Sequence, residues 1–241
     1  AHFNDSVYRI VYPNGFKKFD LIKKILQNKS ITEYLIDTEE VTQEELKSLE
    51  LENNKDVRVF KHKKIDYISY PYEWSFSQLK DAAILTLKVQ AQSLKYGFSL
   101  KDASSYNVQF IGNKLKFIDT LSFQPYKEGE PWIAYRQFCQ HFLAPLALMA
   151  YVDIELAKLL SNYIDGVPLS LASKLLPNRT RLNYGLQIHL HLHAKIQKAY
   201  SDSANPAESN TEEKNKAKLT LKGQRAIIED LASVINRLEW K

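Results

Sequence analysis

The chain has 241 residues, 44% of them hydrophobic and 25% charged, enough to bury a sizeable core as one large domain or two small lobes. A net charge of +5, with Lys and Glu interleaved over most of the length, fits a solvated surface and argues against a specific nucleic-acid stripe. A single cysteine, Cys139 in an apolar stretch, excludes an internal disulfide and reads as a core residue in a reducing compartment.

In chain order, the start "AHFNDSVYRIVYP" lacks the basic-then-apolar pattern of a secretory signal, so a cytoplasmic protein is expected. Its "SVYRIVYP" predicts a strand that ends in the Pro13-Asn14-Gly15 turn. "FDLIKKILQ" spaces Phe19, Ile22, Ile25 and Leu26 along one helical face. "TEYLIDTEEV" fits helix or strand. Thr42 to Glu52 predicts an acidic helix opened by a Thr42/Glu45 capping box. Two short strands follow, Val57 to Lys61 and Ile65 to Tyr70, stopped by Pro71.

Ser75 opens a long helix whose apolar positions 76, 79, 83, 87 and 94 repeat at helical spacing up to Gly97. Phe98 to Leu100 reads as a short strand, Lys101 to Asn107 as a loop, and Val108 to Ile111 with Leu115 to Ile118 as a hairpin around Gly112-Asn113. Helices are expected over Trp132 to Tyr151, Ile154 to Tyr163, Leu169 to Leu176 and Leu182 to Tyr200. The longest nearly apolar run, Phe142 to Val152 with Pro145 inside, falls short of the about 20 residues a bilayer span requires, so no membrane span is expected. The chain divides into a small α/β N-lobe over 1–72, a mainly helical C-lobe over 73–200, a flexible linker over 201–218 and a C-terminal helix over 219–241.

The seven glycines stand at 15, 97, 112, 129, 166, 185 and 223, no two separated by a single residue. A Walker loop, a dinucleotide fingerprint, a kinase glycine flap and the usual methyltransferase cofactor loop all need closely spaced glycines to bring backbone near phosphate or cofactor. None is present in this sequence.

A small mixed sheet, a long helix, a strand, a loop, a hairpin and a helical block follow one another in an order that resembles the two-lobed protein-kinase-like fold, including its aminoglycoside-phosphotransferase branch. The fold class expected is therefore α+β, kinase-like. The stretch "KDASSYNVQFIGNKLKFID" carries the sharper likeness: Asp102 and Asn107 have the spacing of a kinase catalytic loop, and Asp119 closes the next hairpin where the second metal-binding aspartate would fall. The resemblance implies that Asn107 and Asp119 hold Mg²⁺ and that Asp102 takes the proton of an acceptor hydroxyl. Mg²⁺ favours carboxylate and amide oxygens together with phosphate oxygens. Tyr70, Tyr72 and Lys101 are the candidate nucleotide contacts, with ATP as cofactor and a small molecule or sugar as acceptor. Arg9, Lys17 and Lys61 are open alternatives for the phosphate contact. Leu100-Lys101 replaces the His-Arg of kinases, and Asp119 is followed by Thr120-Leu121 rather than Phe-Gly; these departures favour a divergent, small-molecule member over a protein kinase.

At the level of wording, "YPYEWSFSQLKDAA", "LKDASSYNVQF", "FIDTLSF", "PWIAYRQFCQHFLAPLALMAY" and "DGVPLSLASKLLP" resemble the N-terminal region of bacterial SAM-dependent methyltransferases, some of them nodulation-protein-like. In that family a methyltransferase domain follows. The sequence here ends at "NRLEWK", before any glycine-rich SAM loop, so the resemblance implies no SAM site in this chain and a methyltransferase domain as partner in cis or in trans. The competing expectation to catalysis is a pseudokinase-like accessory module that positions or regulates that domain.

Blander readings stand beside these. Asp102, Asn107 and Asp119 also suit turns and hairpin ends. In "HLHLH", His189 and His193 share a helical face without an HExxH glutamate or a cysteine, which favours a structural role over zinc. Tyr70, Tyr72 and Trp74 are read as core aromatics as readily as an adenine platform, with the balance toward core. Asp81 and Asp165-Gly166 read as surface and turn features, Glu128 to Pro131 as a loop, and Arg136 as a buried cation in need of a carboxylate.

Overall fold

A computed structural model of the chain describes residues 2–3, 6–48, 57–202 and 219–240. The end of the expected acidic helix and nearly all of the expected linker lie outside the described residues. The architecture is mixed α+β, mainly helical, with small sheets.

Strands β1 (His2–Phe3), β2 (Ser6–Val11), β3 (Thr38–Glu40) and β4 (Arg58–Lys63) form an antiparallel sheet in the order β1-β2-β4-β3. Arg9 lies opposite Phe60, and Val7 and Thr38 opposite His62. The two-residue alternation of a strand therefore puts Arg9, Phe60 and His62 on one face. That face packs on α1 (Phe16–Leu26), where Phe60 stacks on Phe19 with ring centroids 4.0 Å apart, and Leu121 joins the contact. Burial of each aromatic contributes about 1.5–3 kcal/mol. The opposite face, with Tyr8 and Val59, meets Val41 and Leu46 beside α3 (Gln43–Ser48). Thr42 caps α3 through Glu45 N, while the Glu45 carboxylate accepts from Tyr8 Oη and Lys61 Nζ.

The segment expected as a second strand, Ile65 to Tyr70, is not one. Tyr67 and Ile68 are exposed, and among the described residues no strand flanks the segment to complete a ladder. Its polar groups instead meet the later hairpin: Ser69 N donates to Gln109 Oε1 at 3.1 Å and Gln109 Nε2 donates to Ser69 O at 2.9 Å.

After α2 (Lys29–Thr32), the backbone at 34–36 runs parallel beside the hairpin, with Phe117 N donating to Tyr34 O and Ile36 N to Phe117 O. The ambiguous "TEYLIDTEEV" thus divides into a helix end, this bridge and β3. Helix α4 (Phe76–Lys95) begins at a Ser75/Gln78 capping box and ends before Gly97, whose φ of 79° is open to glycine at no steric cost. Its buried residues include Phe76, Leu79, Ala83, Leu87 and Leu94, the five periodic positions of the sequence. Strand β5 (Phe98–Leu100) pairs antiparallel with β8 (Phe123–Pro125), and β6 (Val108–Ile111) pairs with β7 (Lys114–Phe117) around Gly112, φ 61°.

The remaining helices cover one large core built around α4. α5 (Tyr135–Phe138) continues through a π-helical stretch, Cys139–Leu143, into α6 (Ala144–Tyr151). A 3-10 turn leads to α7 (Leu159–Asn162), followed by α8 (Leu169–Leu175). α9 (Tyr184–Leu186) likewise runs through a π-helical stretch, Gln187–Leu192, into α10 (His193–Asp202). α11 (Leu221–Arg237) returns onto α4, where Lys80 Nζ donates to Asn236 O and Leu238 O. No helix among the described residues is long and apolar enough to cross a membrane.

Candidate functional site

The pairing of β5 with β8 brings the loop after one strand against the turn before the other, and Lys101 N donates to Ser122 O at 2.7 Å. In the loop, Asp102 Oδ1 accepts from Ser104 N at 3.0 Å, a local Asx turn, and from Asn107 Nδ2 at 2.9 Å. Asn107 Nδ2 also donates to Ser122 Oγ at 3.4 Å, and Ser122 Oγ donates to Asp119 Oδ2 at 2.6 Å. Ile118 N donates to Asn107 O, which fixes the hairpin end beside the loop. Asp102, Asn107, Ser122 and Asp119 therefore form one hydrogen-bonded row. The structure brings together the three residues singled out in the sequence and adds Ser122.

Cations stand over the Asp119 end. Arg9 Nη1 donates to Asp119 Oδ1 at 3.2 Å. With side chains 38% and 31% exposed, such a pair contributes only about 0–1 kcal/mol. Lys18 of α1 lies near Lys101, Asp119 and Arg9; burial first, and then Lys101, lower its pKa to about 8. Burial opposes ionisation of Asp119, but hydrogen bonds from Ser122 Oγ, Leu121 N and Arg9 outweigh it and hold the carboxyl below its ordinary value. Of the three open phosphate contacts, Arg9 is at the site, Lys61 pairs with Glu45 on the opposite sheet face, and Lys17 is exposed.

His62 shares the sheet face of Arg9. Thr38 gives its hydroxyl proton to Ile36 O, so the 3.0 Å contact between His62 Nδ1 and Thr38 Oγ1 assigns the ring proton to Nδ1. His62 Nε2 is buried and without a hydrogen-bond partner among the described residues. Burial, then Arg9, push the His62 pKa down to about 4. On the far side of the loop, Gln137 Oε1 accepts from Ala103 N, and the buried His141 Nδ1 meets Ser105 Oγ at 3.1 Å.

Tyr70 and Tyr72 are not core residues: they are exposed and stacked on each other, with centroids 5.4 Å apart, because Pro71 turns the chain at the surface. They neighbour Tyr106, and no hydrogen bond joins either to the row of four among the described residues. Trp74 is buried, donating to Ser69 Oγ. Arg136 is exposed and makes no ion pair among the described residues, since its position on α5 points away from the core. Glu128 to Pro131 packs toward α11, where Gln224 Nε2 donates to Glu130 O. The histidines of "HLHLH" join elements. His189 sits between Tyr135 Oη, 2.6 Å, and Asp230 Oδ2, 2.8 Å; His191 sits between Ser173 and Thr180; His193 stacks on Tyr135.

Among the described residues no three His, Cys, Asp or Glu side chains are grouped to hold a metal ion. The donors at the row are instead two carboxylates and one amide. Asn107 spends its N–H groups on Asp102 and Ser122, leaving the amide oxygen outside that bonding. Carboxylate and amide oxygens are the donor types Mg²⁺ takes, but both Asp119 oxygens are engaged, Oδ1 by Arg9 and Leu121 N and Oδ2 by Ser122 Oγ. Ser122 and Lys18 were missed in the sequence. The Asp-x-x-Ser spacing in "IDTLS" was a usable signal for Ser122, whereas nothing local marks Lys18.

No protein-family model matches the chain. It is similar to nodulation protein NoeA of Rhizobium meliloti (strain 1021), 36% identical over 196 residues, which cover 81% of this chain and 40% of that protein. The likeness supports a nodulation-protein-like family. The chain thus spans well under half the length of the curated relative it matches.

Proposed function

We propose that this chain is a kinase-like, nucleotide-binding module that transfers a phosphoryl group from ATP to a hydroxyl of a small molecule or sugar. The observation that carries this reading is the row Asp102, Asn107, Ser122 and Asp119 with Arg9, Lys18 and Lys101 beside it. Phosphoryl transfer is mostly positioning and charge neutralisation. Asp119 and the Asn107 amide oxygen are the residues that would hold Mg²⁺, which when bound neutralises phosphate charge. Asp102, held by Ser104 N and Asn107, keeps a carboxylate oriented to accept the acceptor hydroxyl's proton.

The test is thermal melting with Mg·ATP. A rise in Tm in the native chain, lost in Asp119→Ala, is expected; an equal rise in both would refute the assignment of Asp119. A second reading, a non-catalytic module that positions or regulates a methyltransferase domain, draws on two observations: Arg9 already engages Asp119, and the relative is much longer than this chain. Binding of ATP with no phosphate transfer to any hydroxyl acceptor would favour it.

A further inference from the structure

Arg9 from β2 pairs with Asp119, Lys18 from α1 lies near Arg9, Asp119 and Lys101, and Lys101 begins the loop after β5 with its backbone N bonded to Ser122 O. Three cations against two carboxylates, Asp119 and Asp102, leave a local excess of one positive charge. Of the two carboxylates, Asp102 is already engaged by Ser104 N and Asn107. Neighbouring ammonium groups repel one another, and the arrangement becomes favourable when a multiply charged anion lies between them. Arg9 reaches Asp119 through a single nitrogen, leaving most of its guanidinium donors for a second acceptor.

We infer that Arg9, Lys18 and Lys101 form a receptor for a phosphoryl or polyphosphate anion carrying two or more charges, and that Asp119 is its internal counter-ion, released by Arg9 when the anion enters. The inference rests on the phosphoryl-transfer reading for its biological ligand, yet it makes its own claim: the anion is received without metal or nucleoside. It also supplies what the sequence left open, the identity of the phosphate contacts. Release of Asp119 Oδ1 couples anion binding to cation binding, and by linkage each strengthens the other.

The experiment uses the full chain and sodium pyrophosphate in the presence of EDTA, with sodium chloride at matched ionic strength as control. Pyrophosphate is expected to raise Tm where chloride does not. Lys18→Met and Lys101→Met should each weaken it at least tenfold, while Lys17→Met, its side chain exposed on the same helix, should leave it within twofold. Asp119→Asn should bind metal-free pyrophosphate several-fold more tightly while losing the Mg·ATP response. A Lys17→Met loss equal to that of Lys18→Met, or no response in native chain that melts cooperatively, overturns the receptor. If pyrophosphate binds as described and Mg·ATP never does, the receptor stands and the phosphoryl-transfer reading falls; Mg·ATP binding without metal-free pyrophosphate binding gives the reverse.

Discussion

Asn107 links the two halves of the site, since its amide nitrogen serves both Asp102 and Ser122. Asn107→Ala leaves both acceptors without that donor, and a loss of about 1–3 kcal/mol in urea unfolding is expected. Asn107→Asp sets a second carboxylate against Asp102, so its penalty should grow as pH rises through the ordinary carboxylate range. A penalty independent of pH would show that Asn107 does not face Asp102. The Asp102/Asn107 pair was legible in the sequence because an Asx turn and the bond to Asn107 close within five residues. Lys18 was not, because its place beside Lys101 depends on how α1 rotates over the sheet, and that rotation is set by the stacking of Phe19 on Phe60.

Among the elements, α4 was the most readable, since its capping box and five-position stripe are both local patterns. Leu87→Ala, at a fully buried position, should cost about 2–5 kcal/mol, and Ser75→Ala about 1 kcal/mol. Neither should change pyrophosphate affinity, and a calorimetric titration of the two variants checks it. If Ser75→Ala costs more than Leu87→Ala, the cap rather than the stripe anchors the helix. The π-helical stretches at Cys139–Leu143 and Gln187–Leu192 were unreadable, because periodicity over so few residues does not separate π from α. The false strand at Ile65 to Tyr70 had strand-forming residues but no partner, and β propensity is realised only against a neighbour.

For the molecule as a whole, pH is the sharpest lever. His62 and His141 have pKa values pushed down to about 4 by burial, and burial also lowers His189, His191 and His193, with Asp230 opposing at His189. Below about pH 6.5 the unfolded chain takes up protons on these rings while the folded chain resists. Stability is therefore full above that value and lost as pH falls toward 4, with a limiting slope of about 1.4 kcal/mol per pH unit for each ring. Urea midpoints at pH 7, 6 and 5 measure the loss, and His141→Gln should shallow it; an unchanged slope would contradict the burial of a neutral His141.

The backbone stitch between residues 34–36 and Phe117 moors the segment that leads into β3 to the hairpin that ends at Asp119. The four-stranded sheet therefore meets the Asp119 turn at three fastenings: this stitch, the Arg9–Asp119 pair, and the packing of Leu121 against Phe19 and Phe60.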